Sequence, residues 1–164
     1  MKIIAVAFLL FVGIAACNFR TDRKQLSSIM KLPNFRIISI DSCTCVSAQN
    51  LPLGRYKVFI YFDPDCEHCQ KETKAVLSSI TELKKVNIYW VTNGDQKELK
   101  TFCKHFRLDS FENIMVGEDY EYSFYKAYLP PSVPFMAIYN SKNKLVKIYR
   151  GEVSVRSIIE YTRN

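Results

Sequence analysis

The stretch FDPDCEHCQKE, residues 62–72, decides how this chain is expected to fold. It continues YKVFIYF, residues 56–62, a run rich in aromatic and β-branched residues that predicts a strand buried on both faces. Apolar side chains at helical spacing then run through residues 67–84. A Cys-x-x-Cys pair, Cys66 and Cys69, therefore lies where a buried strand ends and a helix begins.

Strand and helix patterns alternate on both sides of this segment. Further strands are predicted at residues 35–40, 86–92, 135–140 and 144–149, with a short strand or an extended link at 113–116. Further helices are predicted at residues 96–107, 120–128 and 154–162. Residues 43–50 read as a turn region. This order predicts an α/β domain with a central mixed sheet flanked by helices.

The position of the cysteine pair indicates redox chemistry. Free N–H groups and the positive end of the dipole at a helix N-terminus stabilise an anion, so a Cys66 thiolate is favoured. Cys66 is predicted to attack a partner disulfide, and Cys69, one turn along the helix, to resolve the mixed disulfide. A stapling disulfide or half of a zinc site are the alternatives. Since His105, beside Cys103, is the one histidine outside the motif, we predict no metal and no cofactor.

The motif, together with Val133-Pro134 directly before a predicted strand, resembles the active site of thioredoxin-like proteins. It most closely resembles the membrane-tethered envelope branch known as TlpA-like or ResA-like. The resemblance covers residues 33–164 and implies a thioredoxin-like fold with an N-terminal hairpin extension, in whose turn Cys43 and Cys45 lie. It implies thiol-disulfide exchange with protein substrates. The reducing direction is the expected one, and the oxidising direction is the alternative.

The resemblance also implies helpers for the two thiols. In that branch a glutamate three residues after the second cysteine lies beside the active site, so Glu72 is expected to shuttle protons. The alternative for Glu72 is a solvated carboxylate favoured by the helix dipole. Pro134 is expected to be cis and to face the disulfide, with the backbone of Val133 pairing with the substrate chain.

Two residues between the cysteines are expected to meet the substrate and to oppose each other. His68 stabilises a Cys66 thiolate and makes the disulfide more oxidising, whereas the Glu67 carboxylate acts against the thiolate. The chain departs from the family pattern at two positions. Asp65 replaces the tryptophan common before the first cysteine, and Ile60 replaces a buried acid.

The N-terminus reads as an export signal. Residues 3–16 form an apolar run, shorter than the roughly 20 residues that a spanning helix needs, and Cys17 follows. Because residues 14–17, IAAC, resemble a bacterial lipobox, we predict a signal peptide at 1–16, a lipidated Cys17 with a tether to residue 32, and a domain at 33–164. A soluble secreted protein and a retained anchor are the alternatives. The expected location is the bacterial cell envelope, facing the periplasm.

Composition limits the partners. The chain has 164 residues and a net charge of +7 that is spread along it without a known nucleic-acid motif, so no nucleic acid is expected. The expected partners are protein thiol or disulfide substrates, an upstream redox partner, and a membrane through Cys17. The runner-up function is copper(I) binding at Cys66 and Cys69. Cys43, Cys45 and Cys103 are interpreted as free or structural, with a bridge to Cys103 or a soft-metal site as the alternatives.

Overall fold

The computed structural model describes residues 26–40 and 44–163. Within them, seven strands form a mixed sheet in the order β2-β1-β5-β4-β3-β6-β7. The strands are β1 (Arg36–Ser39), β2 (Cys45–Ser47), β3 (Tyr56–Tyr61), β4 (Val86–Thr92), β5 (Ile114–Glu118), β6 (Phe135–Tyr139) and β7 (Leu145–Arg150). The helices are α1 (Glu67–Ser78), α2 (Gln96–Phe106), α3 (Ser123–Tyr128) and α4 (Val155–Thr162). The predicted α/β fold with a mixed sheet and flanking helices is confirmed.

Strand β3 lies at the centre of the sheet, parallel to β4 and antiparallel to β6. Five of its six residues are buried, because helices cover both faces of the sheet. Val58 and Ile60 point into a first core beneath α1, α2 and α4. Phe59 and Tyr61 point into a second, strongly aromatic core beneath α3. The alternation of side chains along one strand thus joins the two cores.

The predicted N-terminal hairpin is confirmed, but Cys45 lies in its second strand and not in its turn, and two helix boundaries differ from the prediction. Strand β2 occupies part of the predicted turn region and pairs antiparallel with β1. Helix α1 ends at Ser78, and residues 79–85 continue as turns that keep Leu83 in the first core. Helix α3 starts late because the buried Asp119 carboxylate accepts the backbone N–H groups of Phe124 and Tyr125, at 3.0 and 2.9 Å.

The fold also includes residues that the sequence placed in the tether. Residues 26–29 are helical, and Ile29 and Leu32 are buried in the second core. The Leu32 N–H donates to the carbonyl oxygen of Asn143 at 3.0 Å. The described domain therefore begins before the predicted boundary at residue 33.

Several predictions about the N-terminus lie outside the described residues. These are the signal peptide, lipidation at Cys17 and the position of Cys43. No helix in the described part of the chain is long and apolar enough to cross a bilayer.

A buried tyrosine ties the N-terminal segment to the sheet. The Tyr139 hydroxyl donates to the Ile29 carbonyl oxygen at 2.8 Å and accepts from the Tyr128 hydroxyl at 2.9 Å. We expect Tyr139→Phe to cost about 1–3 kcal/mol in the free energy of unfolding, because a buried carbonyl loses its donor. Urea unfolding measures the loss, and faster tryptic cleavage after Lys31 localises it. Tyr149→Phe, on the half-buried strand β7, is the control. Equal losses in the free energy of unfolding for the two variants would contradict the role assigned to the Tyr139 hydroxyl.

Candidate active site

The turn between β3 and α1 positions Cys66. The Cys66 N–H donates to the Asp63 carbonyl oxygen at 3.2 Å, and the Asp65 N–H donates to the Asp63 carboxylate at 2.8 Å. These two bonds turn the chain so that Cys66 becomes the N-cap residue of α1, and its side chain makes no capping hydrogen bond. The sulfur of Cys66 is thus placed at the positive end of the helix dipole without being used as a cap.

The two cysteines differ in exposure. Cys66 is half-buried, whereas Cys69 is only 2% exposed, and both are present as thiols. Burial raises the pKa of the Cys69 thiol well above its usual range. The backbone of Asp63 opposes this effect, and the Cys66 side chain and the charge of Glu72 add to it. A partner sulfur can therefore reach Cys66, while Cys69 keeps its proton beneath it.

Helix α1 is fixed behind the cysteines by a buried tryptophan. The indole N–H of Trp90 donates to the Thr73 hydroxyl oxygen at 3.3 Å, and that hydroxyl donates to the Cys69 carbonyl oxygen at 2.8 Å. Trp90 is fully buried, as expected of a core residue. These bonds link the first turns of α1 to β4.

Glu72 lies three residues after Cys69 and is 4% exposed. Burial raises the pKa of its carboxyl group from 4.5 to about 7; the charge of Glu152 acts in the same direction, and the backbone amide of Val153 opposes it. Neither carboxylate oxygen has a partner of normal hydrogen-bond geometry among the described residues. Glu72 is therefore not the solvated surface carboxylate of the alternative interpretation, and near neutral pH it exists in both protonation states.

The Val133–Pro134 peptide bond is cis and directly precedes β6. Tyr61 of β3 pairs with Phe135 of β6, so Pro134 lies beside the end of β3, where the cysteine loop begins. Half-buried Val133 packs against the same core as Cys66. The sheet register thus places Val133 and Pro134 at the end of the sheet from which the loop to Cys66 and Cys69 leaves β3.

His68 and Glu67 lie exposed on the first turn of α1. The Nδ1 atom of His68 contacts the carboxylate of Glu152, a residue 84 positions away in the loop between β7 and α4. Sequence reasoning missed Glu152, because a single carboxylate in a loop carries no periodic signal that relates it to a distant helix.

A cleft of about 580 Å³ opens beside the turn that precedes Cys66. Pro64 and Asp65 form one wall, and α2 forms the other with Glu98, Phe102 and Phe106. The cleft thus lies between the start of the cysteine loop and α2.

The other two described cysteines lie outside the Cys-x-x-Cys motif, one on β2 and one on α2. Cys45 is exposed on edge strand β2, which β1, β5 and β4 separate from β3. Cys103 is buried in α2, whereas neighbouring His105 is exposed. Within residues 26–40 and 44–163, no group of three or more His, Cys, Asp or Glu side chains could hold a metal ion.

Neither the family models nor the curated proteins contain a match to this chain. Several solved structures share its fold. StoA from Bacillus subtilis superposes with a TM-score of 0.62 at 18% identity, covering 79% of this chain and 96% of that chain. A secreted Mycobacterium tuberculosis disulfide oxidoreductase homologous to E. coli DsbE superposes with a TM-score of 0.66 at 15% sequence identity, covering 79% of this chain and 94% of that chain. A peroxiredoxin-like protein from Aquifex aeolicus superposes with a TM-score of 0.67 at 16% sequence identity, covering 81% of this chain and 84% of that chain.

These similarities, together with the mixed sheet and its helices, define the class. The chain has a thioredoxin-like fold. At such low sequence identity the likeness shows the fold alone.

The buried carboxyl group of Glu72 predicts a pH-dependent stability. In the unfolded chain it ionises near pH 4.5 and in the folded chain near pH 7, so between these values the folded state holds a proton that the unfolded state has lost. Wild-type stability should therefore fall as pH rises through this window, and the loss is complete above pH 7. The free energy of unfolding of Glu72→Gln minus that of wild type should therefore rise by about 3 kcal/mol from pH 4 to pH 8.

Urea unfolding of both proteins at several pH values measures this difference. The change between pH 4 and pH 8 is independent of the fixed cost of burying a glutamine. Glu67→Gln, an exposed carboxylate on the same helix, is the matched control and should show little pH-dependent difference. A stability difference for Glu72→Gln that does not change with pH would show that Glu72 ionises normally.

Proposed function

We propose that this chain is a thiol-disulfide oxidoreductase that exchanges the Cys66 and Cys69 dithiol with protein disulfides. The observation that carries the proposal is the unequal exposure of two thiols one helical turn apart at the N-terminus of α1. A reachable sulfur at the positive end of a helix can attack a partner, and a hidden sulfur one turn along can complete the exchange.

In the reducing direction, the Cys66 thiolate attacks one sulfur of the substrate disulfide. The substrate disulfide bond breaks, a mixed disulfide forms, and the departing substrate sulfur takes up a proton. Cys69 then loses its proton and attacks the Cys66 sulfur, which releases the second substrate thiol. The chain is oxidised by two electrons to a Cys66–Cys69 disulfide, and the substrate is reduced by two.

Glu72 is the proposed proton acceptor for Cys69. Its pKa of about 7 leaves a substantial ionised fraction at neutral pH, and its charge already acts on the Cys69 thiol. In the reverse direction the protonated form can return the proton when Cys69 leaves. Burial that raises both pKa values thus makes the transfer local and reversible.

Pro134 and Val133 are the proposed substrate-positioning residues. Their place beside the cysteine loop, at the start of β6, supports this role. The backbone of Val133 would pair with an extended substrate segment, and Glu67 and His68 would meet the substrate from the exposed turn of α1.

The setting that we propose is the bacterial cell envelope, with the domain facing the periplasm and held at the membrane by lipid on Cys17. The apolar run at residues 3–16 and the lipobox-like IAAC segment support it. The TlpA-like or ResA-like resemblance supports a reducing role, in which an upstream redox partner returns electrons to Cys66 and Cys69. Among the described residues, no feature favours the copper-binding alternative over exchange.

A Cys69→Ala variant should accumulate mixed disulfides on Cys66, because the sulfur that resolves them is missing. The reduced variant is incubated with a disulfide-containing protein, quenched by alkylation and analysed by mass spectrometry. A Cys45→Ala background removes the exposed sulfur of β2 from the assay. Cys66→Ala is the matched control and should trap at least tenfold less. Equal trapping by both variants would refute the assignment of Cys66 as the attacking residue.

A further inference from the structure

The loop at residues 151–153, between β7 and α4, contacts both parts of the candidate active site. The Gly151 N–H donates to the Pro134 carbonyl oxygen at 2.8 Å, and Gly151 adopts a φ of +87° that favours glycine. The next residue, Glu152, contacts His68 on α1 through its carboxylate. Val153 then packs against the first core. The loop thus joins the segment before β6 to the first turn of the cysteine helix.

The contact between Glu152 and His68 changes the charge near the attacking sulfur. His68 lies two residues after Cys66, and a protonated imidazole there would stabilise the thiolate and with it the reduced form. Glu152 supplies a carboxylate to the same ring. When both groups are ionised the pair carries no net charge, and the stabilising effect on the thiolate is largely lost.

Other charged groups around this loop are few. Glu72 on α1 is close enough for the charge of Glu152 to help raise its pKa. Arg150 and Arg156 are exposed at the adjoining ends of β7 and α4. The segment before β6 offers the Pro134 carbonyl oxygen and no charge.

We propose that Glu152 is a positioning residue that neutralises His68 and thereby lowers the reduction potential of the Cys66–Cys69 disulfide. This inference rests on the proposed function. It explains how a chain with histidine directly before the second cysteine, a sign of an oxidant, can act as a reductant. Two carboxylates then oppose His68. Glu152 contacts its imidazole ring, and Glu67 is its neighbour in sequence.

The test is the equilibrium of the Cys66–Cys69 pair with glutathione in the full domain. We expect Glu152→Gln to be more oxidising, so that half-oxidation occurs at a [GSH]²/[GSSG] ratio about two- to fivefold lower than in wild type, a size typical of an exposed ion pair. A fivefold change corresponds to about 20 mV for this two-electron couple. In a His68→Gln background the same substitution should shift the ratio clearly less, because only the direct effect of the Glu152 charge is left.

Glu160→Gln, an exposed carboxylate further along α4, is the matched control and should behave as wild type. Urea unfolding midpoints of all variants show that they are folded. No shift for Glu152→Gln, or an equal shift with and without His68, would overturn the inference. If wild type itself forms no reversible Cys66–Cys69 disulfide, the proposed function fails; if it does and Glu152→Gln matches it, this inference alone fails.

Discussion

The central position of β3 is the constraint on which the rest of the structure depends. The strand is covered on both faces, so its side chains must alternate between two cores, and its register with β4 and β6 has no freedom to slip. That register places the cysteine loop, which leaves the end of β3, beside Pro134, which enters β6. A functional site made of segments far apart in sequence is thus assembled by hydrogen bonds of the sheet.

Burial then gives the assembled residues different chemical roles. Cys66 remains reachable at the end of α1, while Cys69 and Glu72 lie on the same helix in the first core. Removing a carboxyl or thiol group from water disfavours its charged form, so both of these groups hold their protons more tightly. One helix therefore carries a half-buried thiol at its start and a buried thiol and carboxyl group behind it, and the proposed roles rest on this difference.

The sequence predicted most of this arrangement, because strong periodic signals mark buried strands and helices. YKVFIYF, the Cys-x-x-Cys pair and Val133-Pro134 were sufficient for the fold class. Short or locally determined features were missed: β2 has three residues, and the start of α3 depends on the Asp119 carboxylate. Glu152 was missed because its contact with His68 arises from tertiary structure alone.

The most direct test of the central claim is the fate of each sulfur during one turnover. Reduced protein is mixed with a protein disulfide, quenched with an alkylating reagent and mapped by mass spectrometry. Thiol-disulfide exchange predicts one Cys66–Cys69 disulfide for each substrate disulfide opened, and its reversal by dithiothreitol. A substrate that stays oxidised, or a disulfide that forms without Cys66 and Cys69, would contradict the claim.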